Sequence, residues 1–299
     1  MVVNLYNQIS GNKAKTWLLM GLFVIFIAFL GYVFSYVTGY GISGFSAAVI
    51  ISMLMAIGSY YYSDKMVLMI SGAQQINHED NPELFHIVEN LCLGSGLPMP
   101  KIYLINDPAP NAFATGRDPQ HAAVAVTTGI LERLERAELE GVLAHELSHV
   151  KNYDMRLMTI TVILVGIIAL ISDWLLRFSF WGGGRDREER EGNQLGVIIF
   201  FLGLILALVA PLIANLIKLA ISRKREFLAD ASAAYITRYP QALANALEKI
   251  SSDRHQLRAA NNSTAHLYIV NPFKDKNWLI NLFSTHPPIE ERITALRTM

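Results

Sequence analysis

The chain has 299 residues, of which 52% are hydrophobic and only 17% are charged. Soluble domains carry about a quarter charged residues, so this composition indicates a membrane protein. Basic and acidic residues number 25 each, so the net charge is zero and gives no electrostatic reason to expect a nucleic-acid partner. The single cysteine, Cys92, excludes a disulfide framework within the chain and is interpreted as a small buried hydrophobic residue.

Four long apolar segments divide the chain, and each is predicted to be a transmembrane helix or one arm of a membrane hairpin. They are Trp17–Thr38, Ser43–Tyr62, Leu157–Ser172 and Leu195–Ile217. A helix needs roughly 20 apolar residues to cross the bilayer core, and the third segment is interrupted by Asp173 before it reaches that length. Pro211 lies inside the fourth, where membrane helices tolerate proline better than soluble helices do. The first is too long for the core of a signal peptide, so we expect a retained anchor.

The polar residues between these segments fall into two stretches, and neither is long enough for a separate core. We therefore predict one polar domain that is split in sequence. The expected order is an N-terminal transmembrane helix pair (1–65), the first half of the polar domain (66–155), a second apolar hairpin (156–220) and the second half of the polar domain (221–299). A glycine-rich, charge-alternating loop at 181–193 is interpreted as a solvated connector within the hairpin. The predicted fold class is a mainly α integral-membrane protein with a small β-sheet.

The first polar half is predicted to contain a helix, three strands and a second helix. Apolar residues at helical spacing, followed by glycine and proline, predict a helix over 82–98. Short β-prone runs predict strands over Lys101–Asn106, Asn111–Gly116 and His121–Thr128. A stretch without proline predicts the second helix over Leu131–Tyr153.

This second helix carries the sequence HELSH at residues 145–149, a pattern typical of zinc hydrolases. Residues four apart share a helix face, so His145 and His149 present two imidazoles side by side. A catalytic zinc needs three protein ligands and one open position for water. Glu146 can reach that water and accept its proton as general base. Because the pattern also occurs by chance on solvated helix faces, the third ligand decides between the two interpretations.

Candidates for the third ligand follow the fourth apolar segment, in a helix predicted over 222–236. Glu226 and Asp230 lie four residues apart and share a face of this helix. Either carboxylate can bind a metal while the other accepts a hydrogen bond from a ligand imidazole and fixes its tautomer. The alternative is a surface charge cluster in which both acidic residues balance the basic run Arg223–Arg225. The HELSH motif upstream favours the metal site.

Four motifs in a fixed order resemble those of the HtpX family of membrane metalloproteases, which is grouped with the type 1 CAAX prenyl proteases. They are NAFATG from residue 111, HELSH from 145, EFLAD from 226 and STHPP from 284. The resemblance runs from the first apolar segment to the terminal THPPIEERITAL and so covers nearly the whole chain. It implies a zincin-like α+β catalytic domain, split by the second helical pair, with a gluzincin-like active site and one Zn²⁺ per chain.

The resemblance also implies a role for each residue that matches a family motif. It makes His145, His149 and Glu226 the zinc ligands. It makes Glu146 the general base, and it gives Asp230 the position of an aspartate that supports a ligand from behind. The combination of four ordered motifs is far more specific than any one of them.

The NAFA segment, made of Asn111, Ala112, Phe113 and Ala114, corresponds to an edge strand above the cleft in related zinc peptidases. A substrate peptide can add to such an edge by main-chain hydrogen bonds, without strict demands on its sequence. An internal strand of the sheet is the alternative interpretation.

Five further residues have two interpretations each. His286 lies either near the cleft or before the last helix, where it would fix the chain. Arg223 and Arg225 are candidates for stabilising a tetrahedral oxyanion, against a salt bridge or an anchor on anionic lipid. Asn152 and Asp154 follow the second histidine and either support a ligand or cap the end of the helix.

The expected ligands constrain the topology, because they must meet on one side of the membrane. The third and fourth apolar segments therefore cross the bilayer twice or not at all. Basic residues flanking segments one, two and four put the N-terminus and the polar domain on the cytoplasmic side of a bacterial inner membrane: Lys13, Lys15, Lys65, Lys218 and Arg223–Arg225. The loop at 181–193 and the residues before it also contain arginines, which do not fit this orientation. A re-entrant hairpin that never fully crosses remains the alternative.

The expected function is that of a membrane-embedded zinc endopeptidase that hydrolyses peptide bonds. The resemblance implies a quality-control role, with misfolded or damaged membrane proteins and unfolded polypeptides as substrates and the lipid bilayer as surroundings. One alternative is a processing protease for lipid-modified peptides, although four apolar segments are few for a large enclosed chamber. Another alternative is an inactive membrane scaffold. All the expected ligand positions carry metal-binding residues, which argues against it.

Overall fold

The computed structural model describes residues 5–38, 40–181, 201, 204–205, 223–253, 255–258, 267–270 and 287–299. Helices dominate these residues: Leu5–Thr38 (α1), Gly41–Ile70 (α2), Pro82–Ser95 (α3), Thr128–Arg133 (α4), Arg136–Lys151 (α5), Asp154–Trp181 (α6), Arg223–Thr237 (α7), Pro240–Ser252 (α8) and Ile289–Arg297 (α9). Strands in the same residues are Gln74–Gln75 (β1), Lys101–Ile105 (β2), Ala112–Gly116 (β3) and Ala122–Thr127 (β4). The prediction of a mainly helical protein with a small sheet is confirmed.

Three helices in the described part of the chain are long and apolar enough to cross a membrane, over Ile9–Val33, Gly41–Ile70 and Asp154–Asp173. They coincide with the first three predicted apolar segments. The predicted fourth segment, Leu195–Ile217, lies outside the described residues except for positions 201, 204 and 205. The loop predicted at 181–193 also lies outside them, apart from its first residue.

The three membrane helices differ in how much of their surface they bury. In the apolar window of each helix, 22% of α1 and 11% of α2 are buried, against 67% of α6. Large side chains such as Ile25 and Phe29 of α1 and Leu54 of α2 are more than half exposed. Apolar surface of this extent belongs against lipid rather than water. The helix α6 is therefore the central helix of this group.

An apolar cluster holds α1, α2 and α6 together. It contains Met20, Phe23, Ile27 and Leu30 of α1, Ala56 of α2, and Ile160, Leu164 and Ile168 of α6. The helices α1 and α2 also approach closely at Gly31, where an added Cβ would overlap the side chain of Ala48. Small residues at such contacts let helix backbones pack tightly within a membrane.

The strands form one mixed sheet with the order β1-β2-β4-β3. The strand β2 pairs with β4 in parallel, and β3 pairs with β4 antiparallel through the register Ala112↔Val126 to Gly116↔Ala122. Ala112, Phe113 and Ala114 of the NAFA segment therefore belong to β3, the last strand of the described sheet, and Asn111 precedes this strand. Every residue of β3 and β4 is buried.

This complete burial arises because the sheet is covered on both faces. Ala112 and Ala114 face a core that also contains residues of α3, α5 and α8. Phe113 and Ala125 face a second core. That second core includes Val67 and Leu68 of α2 and Met158 and Val162 of α6. A strand buried on both sides is apolar at successive positions, which explains the uninterrupted apolar run in β4. The helices α2 and α6 thus pack directly against the sheet.

The helix predicted over Leu131–Tyr153 is in fact two helices, α4 and α5, and the single-helix prediction is wrong. Leu134 and Glu135 are extended, and the backbone N–H of Glu135 donates to the Glu138 carboxylate at 2.9 Å. This side-chain contact starts a new helix at Arg136, as in a capping box. At its other end α5 stops at Lys151. Only two residues separate it from α6, and the second of them, Tyr153, has φ 58°.

Candidate metal centre

The helices α5 and α7 bring together the three residues expected to bind zinc. His145, His149 and Glu226 are all buried, and their ligand atoms lie within 4.8 Å of one another. The two histidine Nε2 atoms are 3.2 Å apart. They lie 3.7 Å and 3.5 Å from the Glu226 carboxylate oxygens, in the order His145 and His149.

These separations fit a zinc ion. Donors that bind zinc tetrahedrally at about 2.0–2.1 Å lie roughly 3.3 Å from each other. The two imidazole nitrogens are 3.2 Å apart, and each lies 3.5–3.7 Å from a different oxygen of the Glu226 carboxylate. This donor set of two imidazole nitrogens and one carboxylate is typical of catalytic zinc.

Each histidine is held from behind by a carboxylate at its other ring nitrogen. Asp230 Oδ1 lies 2.9 Å from Nδ1 of His145, and Asp154 Oδ2 lies 3.3 Å from Nδ1 of His149. An Nδ1–H donated to a carboxylate leaves the Nε2 lone pair for a metal. Both Nε2 atoms face the third donor, Glu226, so the two carboxylates favour the tautomer that a metal requires.

Arg292 of α9 completes the support of His145, and the sequence analysis missed it. Its guanidinium donates to both carboxylate oxygens of Asp230, at 2.8 Å and 2.7 Å, and lies 3.6 Å from Glu226. It is 1% exposed. A signal was present in the sequence, because Arg292 lies at helical spacing between Ile289 and Leu296. A charged residue on the apolar face of a helix needs a buried partner.

The ionisation of these groups follows from their burial and their partners. Burial raises the pKa of the Asp230 carboxyl, but Arg292 and the hydrogen bonds to it lower that pKa to about 2. Burial and the Arg292 charge lower the pKa of His145, but Asp230 and Glu226 raise it to about 9. The carboxylates beside His145 thus favour its protonated form, as expected for an imidazole among acidic groups.

The carboxylate of Glu146 is directed toward the strand β3. Its Oε2 accepts the backbone N–H of Ala114 at 2.9 Å, and the residue is 3% exposed. Burial raises the pKa of the Glu146 carboxyl above its ordinary value, against the opposing effect of His145 and His149. A carboxyl with a raised pKa is suited to both accepting and returning a proton near neutral pH.

The space around these residues is small. A cavity of about 10 Å³, measured as the space open to the centre of a water molecule, adjoins both histidines and Glu146. The other lining residues are Ala114, Met155, Met158, Leu267 and Ile269. Such a space holds about one water molecule.

The outer edge of β3 is covered by the chain's own residues 267–270. The N–H of Ile269 donates to the carbonyl of Ala112 at 3.1 Å, and the Asn111 amide donates to the carbonyl of Val270 at 3.1 Å. The ring of Tyr268 packs edge-on against Phe113, with centroids 5.1 Å apart. The edge predicted to receive a substrate is therefore occupied in this conformation.

The remaining predicted site residues lie in different places. Arg225 is buried and donates to Asp154 Oδ1 at 2.9 Å, which agrees with the salt-bridge interpretation. Arg223 is the first residue of α7. His286 lies outside the described residues. The backbone N–H of Asn152 donates to the carbonyl of Ser148 at the end of α5, while Asp154 Oδ2 lies 3.3 Å from Nδ1 of His149.

The fold and the site together define a membrane metallopeptidase. The model of peptidase family M48 matches residues 78–299, and the chain belongs to this family. It is 46% identical over 296 residues to a protein of Dictyoglomus thermophilum named Protease HtpX homolog, covering 98% of this chain and 94% of that protein. It is also 47% identical over 295 residues to a protein of the same name from Tropheryma whipplei, covering 99% and 98%. The resemblance to HtpX-type proteases is confirmed.

A solved structure supports the fold. The crystal structure of S. mikatae Ste24p matches with a TM-score of 0.51 and 19% identity, covering 95% of this chain and 67% of that one. Because the sequences have diverged so far, this likeness concerns the fold alone.

Proposed function

We propose that the protein is a zinc endopeptidase that cleaves misfolded or damaged membrane proteins and unfolded polypeptides. One zinc ion per chain would be held by His145, His149 and Glu226, and Glu146 would act as general base. The observation that carries this proposal is the convergence of three buried donor side chains whose ligand atoms lie within 4.8 Å of one another, with the buried carboxylate of Glu146 beside them.

The chain's own residues supply the proton transfers and the orientation of the site. When bound, the ion would act as a Lewis acid toward the peptide carbonyl and the attacking water. Glu146 would take the proton of that water and return it to the leaving amine nitrogen, a role to which its raised pKa is suited. Asp230 and Asp154 would hold the ligand imidazoles with Nδ1 protonated.

Asn111, Ala112, Phe113 and Ala114 are our proposed substrate-binding strand. The carbonyl of Ala112 points outward from the sheet, since it accepts the N–H of Ile269. A peptide laid along this edge would take the place of Ile269 at that carbonyl and would bring its own scissile bond toward Glu146. His286, Arg223 and Arg225 remain candidates for a cleft or oxyanion role, although the ion pair of Arg225 with Asp154 favours a supporting role for that residue.

We also propose that the active site faces the cytoplasm from a bacterial inner membrane. Lys13 lies in α1 beside Tyr153, 4.3 Å from the ring centroid, so this basic residue is at the catalytic-domain end of its helix. Basic residues at membrane-helix ends favour the cytoplasmic side. A fluorescent protein fused to the C-terminus should therefore fluoresce in cells. If an alkaline phosphatase fused at that point is active instead, the C-terminus lies outside the cytoplasm and the proposed orientation is wrong.

The substitution Glu146→Gln tests the catalytic role. It removes the base but leaves all three expected ligands, so bound zinc should stay near one equivalent while cleavage of an unfolded reporter falls by about 10²–10⁴-fold. Zinc content and cleavage rate are measured on the full chain in detergent. Glu140→Gln, on the same helix, serves as the control and should keep full activity.

Full activity in the Glu146→Gln protein would overturn this assignment. Less than half an equivalent of zinc in the parent protein, purified gently and without chelator, would favour a membrane scaffold without enzymatic activity. The same Glu146→Gln protein can retain uncleaved substrates in native membranes, which identifies them directly.

A further inference from the structure

A buried polar contact joins the first membrane helix to the metal centre. Asn12 of α1 is 4% exposed, and its amide donates to Asp154 Oδ1 at 2.7 Å and to the carbonyl of Asn152 at 3.0 Å. Its carbonyl oxygen accepts a hydrogen bond from Arg225 at 2.9 Å. Arg225 also donates to the same Asp154 oxygen at 2.9 Å. Three helices, α1, α6 and α7, thus meet around one carboxylate.

The two oxygens of that carboxylate have different partners. Oδ1 accepts from Asn12 and Arg225, while Oδ2 lies 3.3 Å from Nδ1 of His149. A carboxylate is planar, so fixing one oxygen with two donors also fixes the direction of the other. The orientation of the His149 ring therefore depends on donors that belong to α1 and α7.

We propose that Asn12 is a positioning residue for the metal centre: together with Arg225 it orients Asp154, which sets the tautomer and ring orientation of His149. This inference rests on the proposed function, since it assigns His149 as a ligand. Asn12 would act on the metal only through Asp154, and it would make ligand geometry dependent on how α1 packs against the rest of the protein.

The chemistry of an asparagine side chain fits this position well. An amide offers both a donor for Asp154 and an acceptor for Arg225. An aspartate would place a second carboxylate beside Asp154, and an apolar residue would remove one hydrogen bond each from the buried side chains of Asp154 and Arg225. Polar groups in an otherwise apolar membrane helix are costly to bury, so a satisfied one marks a site where it is used.

The helix α1 also supplies a matched control. Thr16 is one turn beyond Asn12 on the same helix, is 0% exposed, and donates its hydroxyl to the carbonyl of Asn12 within the helix. The substitution Thr16→Val removes a buried polar group of α1 while leaving the contacts of the Asn12 amide in place. A general loss of α1 packing would affect both variants, whereas a positioning role affects Asn12 alone.

The test measures metal binding in the full chain in detergent. We expect Asn12→Ala to weaken zinc affinity by about 10-fold in chelator competition, the lower end of the range for residues that support ligands. The visible spectrum of the cobalt-substituted protein should shift with it. Thr16→Val should leave affinity within about two-fold of the parent, by the same comparison. Asn12→Ser, which keeps a donor and an acceptor, should lie between the two and replaces Asn12→Ala if that variant does not fold.

A double-mutant cycle separates action through Asp154 from a general effect. In the Asp154→Asn background, the substitution of Asn12 should no longer change zinc affinity, because the carboxylate through which Asn12 acts is already absent. Unchanged affinity and an unchanged cobalt spectrum in both folded Asn12 variants would overturn the inference while leaving the proposed function intact. A parent protein that binds no zinc would overturn the proposed function itself, and the inference with it.

Discussion

Arg292 illustrates how much a single buried side chain contributes to this site. Its guanidinium forms two hydrogen bonds to Asp230 and approaches Glu226, so it balances two carboxylates with one charge. Asp154 is paired with Arg225, but without Arg292 the carboxylates of Glu226 and Asp230 would lose the guanidinium that lies beside them. A planar guanidinium pairs with both oxygens of a carboxylate at once, which a lysine cannot do.

The substitution Arg292→Met should destabilise the metal-free protein by about 3–5 kcal/mol, because it leaves Asp230 as an uncompensated buried charge. Arg292→Lys should lose less, since it keeps the charge but not the two-fold contact. Thermal unfolding in detergent measures both effects. Arg297→Met, at an exposed ion pair on the same helix, is the control and should change stability by no more than about 1 kcal/mol. Equal stability of the Arg292→Met and parent proteins would contradict the role assigned to this pair.

The same pair predicts a dependence of stability on pH. The folded pKa of Asp230 is about 2, below the value of roughly 3.9 that an aspartate has in an unfolded chain. The resulting stabilisation, on the order of 2 kcal/mol, is therefore present above about pH 4 and lost as the pH falls toward 2. When the pH is lowered from 5 to 3, the unfolding temperature of the metal-free parent should therefore fall further than that of the metal-free Asp230→Asn variant. Identical slopes for the two proteins would exclude Asp230 as a source of the effect.

At the scale of single elements, the contact between α1 and α2 is the most sensitive to side-chain size. Gly31→Leu would force the two backbones apart, because even a Cβ at this position overlaps Ala48. We expect a loss of about 1–3 kcal/mol, as for overpacked cores, seen as a lower unfolding temperature in detergent. Gly21→Leu is the matched control, since an added Cβ there meets no other atom within 4 Å. Comparable losses in both variants would indicate a general effect of leucine in α1.

The sequence predicted most elements because their signals are local. The prediction of a helix over 222–236 closely matches α7, and the helix predicted over 82–98 is α3, which ends where Gly96 adopts φ 71°. The break between α4 and α5 was missed because a contact between Glu135 and Glu138 creates it within an otherwise helical run.

Long-range partners were harder to predict than elements. Spacing alone placed Glu226 and Asp230 on one face but could not order them, since both carboxylates suit either role. The structure turns Glu226 toward both Nε2 atoms and Asp230 toward an Nδ1 atom. Asn12 is far from His149 in the chain, and nothing in the sequence near Asn12 indicates a link to it. The cover over Ala112 likewise comes from Ile269, far along the chain.

At the scale of the whole molecule, the sheet lies between two environments. One of its faces contacts the catalytic-domain helices, while the other contacts α2 and α6, which are long and apolar enough for a membrane. The active-site helix α5 leads into α6 after only two residues. The candidate metal site therefore lies close to the end of a helix that is long and apolar enough to cross a membrane.

The small size of the cavity beside the candidate metal site has a kinetic consequence for inhibitors. A metal-chelating compound such as a hydroxamate is several times larger than the single water that fits beside His145 and Glu146. Because Leu267 and Ile269 line this cavity, we expect residues 267–270 to move before such a compound binds. In progress curves, the onset of inhibition should level off to a constant rate as inhibitor concentration rises, whereas an onset rate that keeps rising linearly would mean that the site is already open. The plateau would report how often the protein opens, a property of the enzyme that no affinity measurement on the inhibitor reveals.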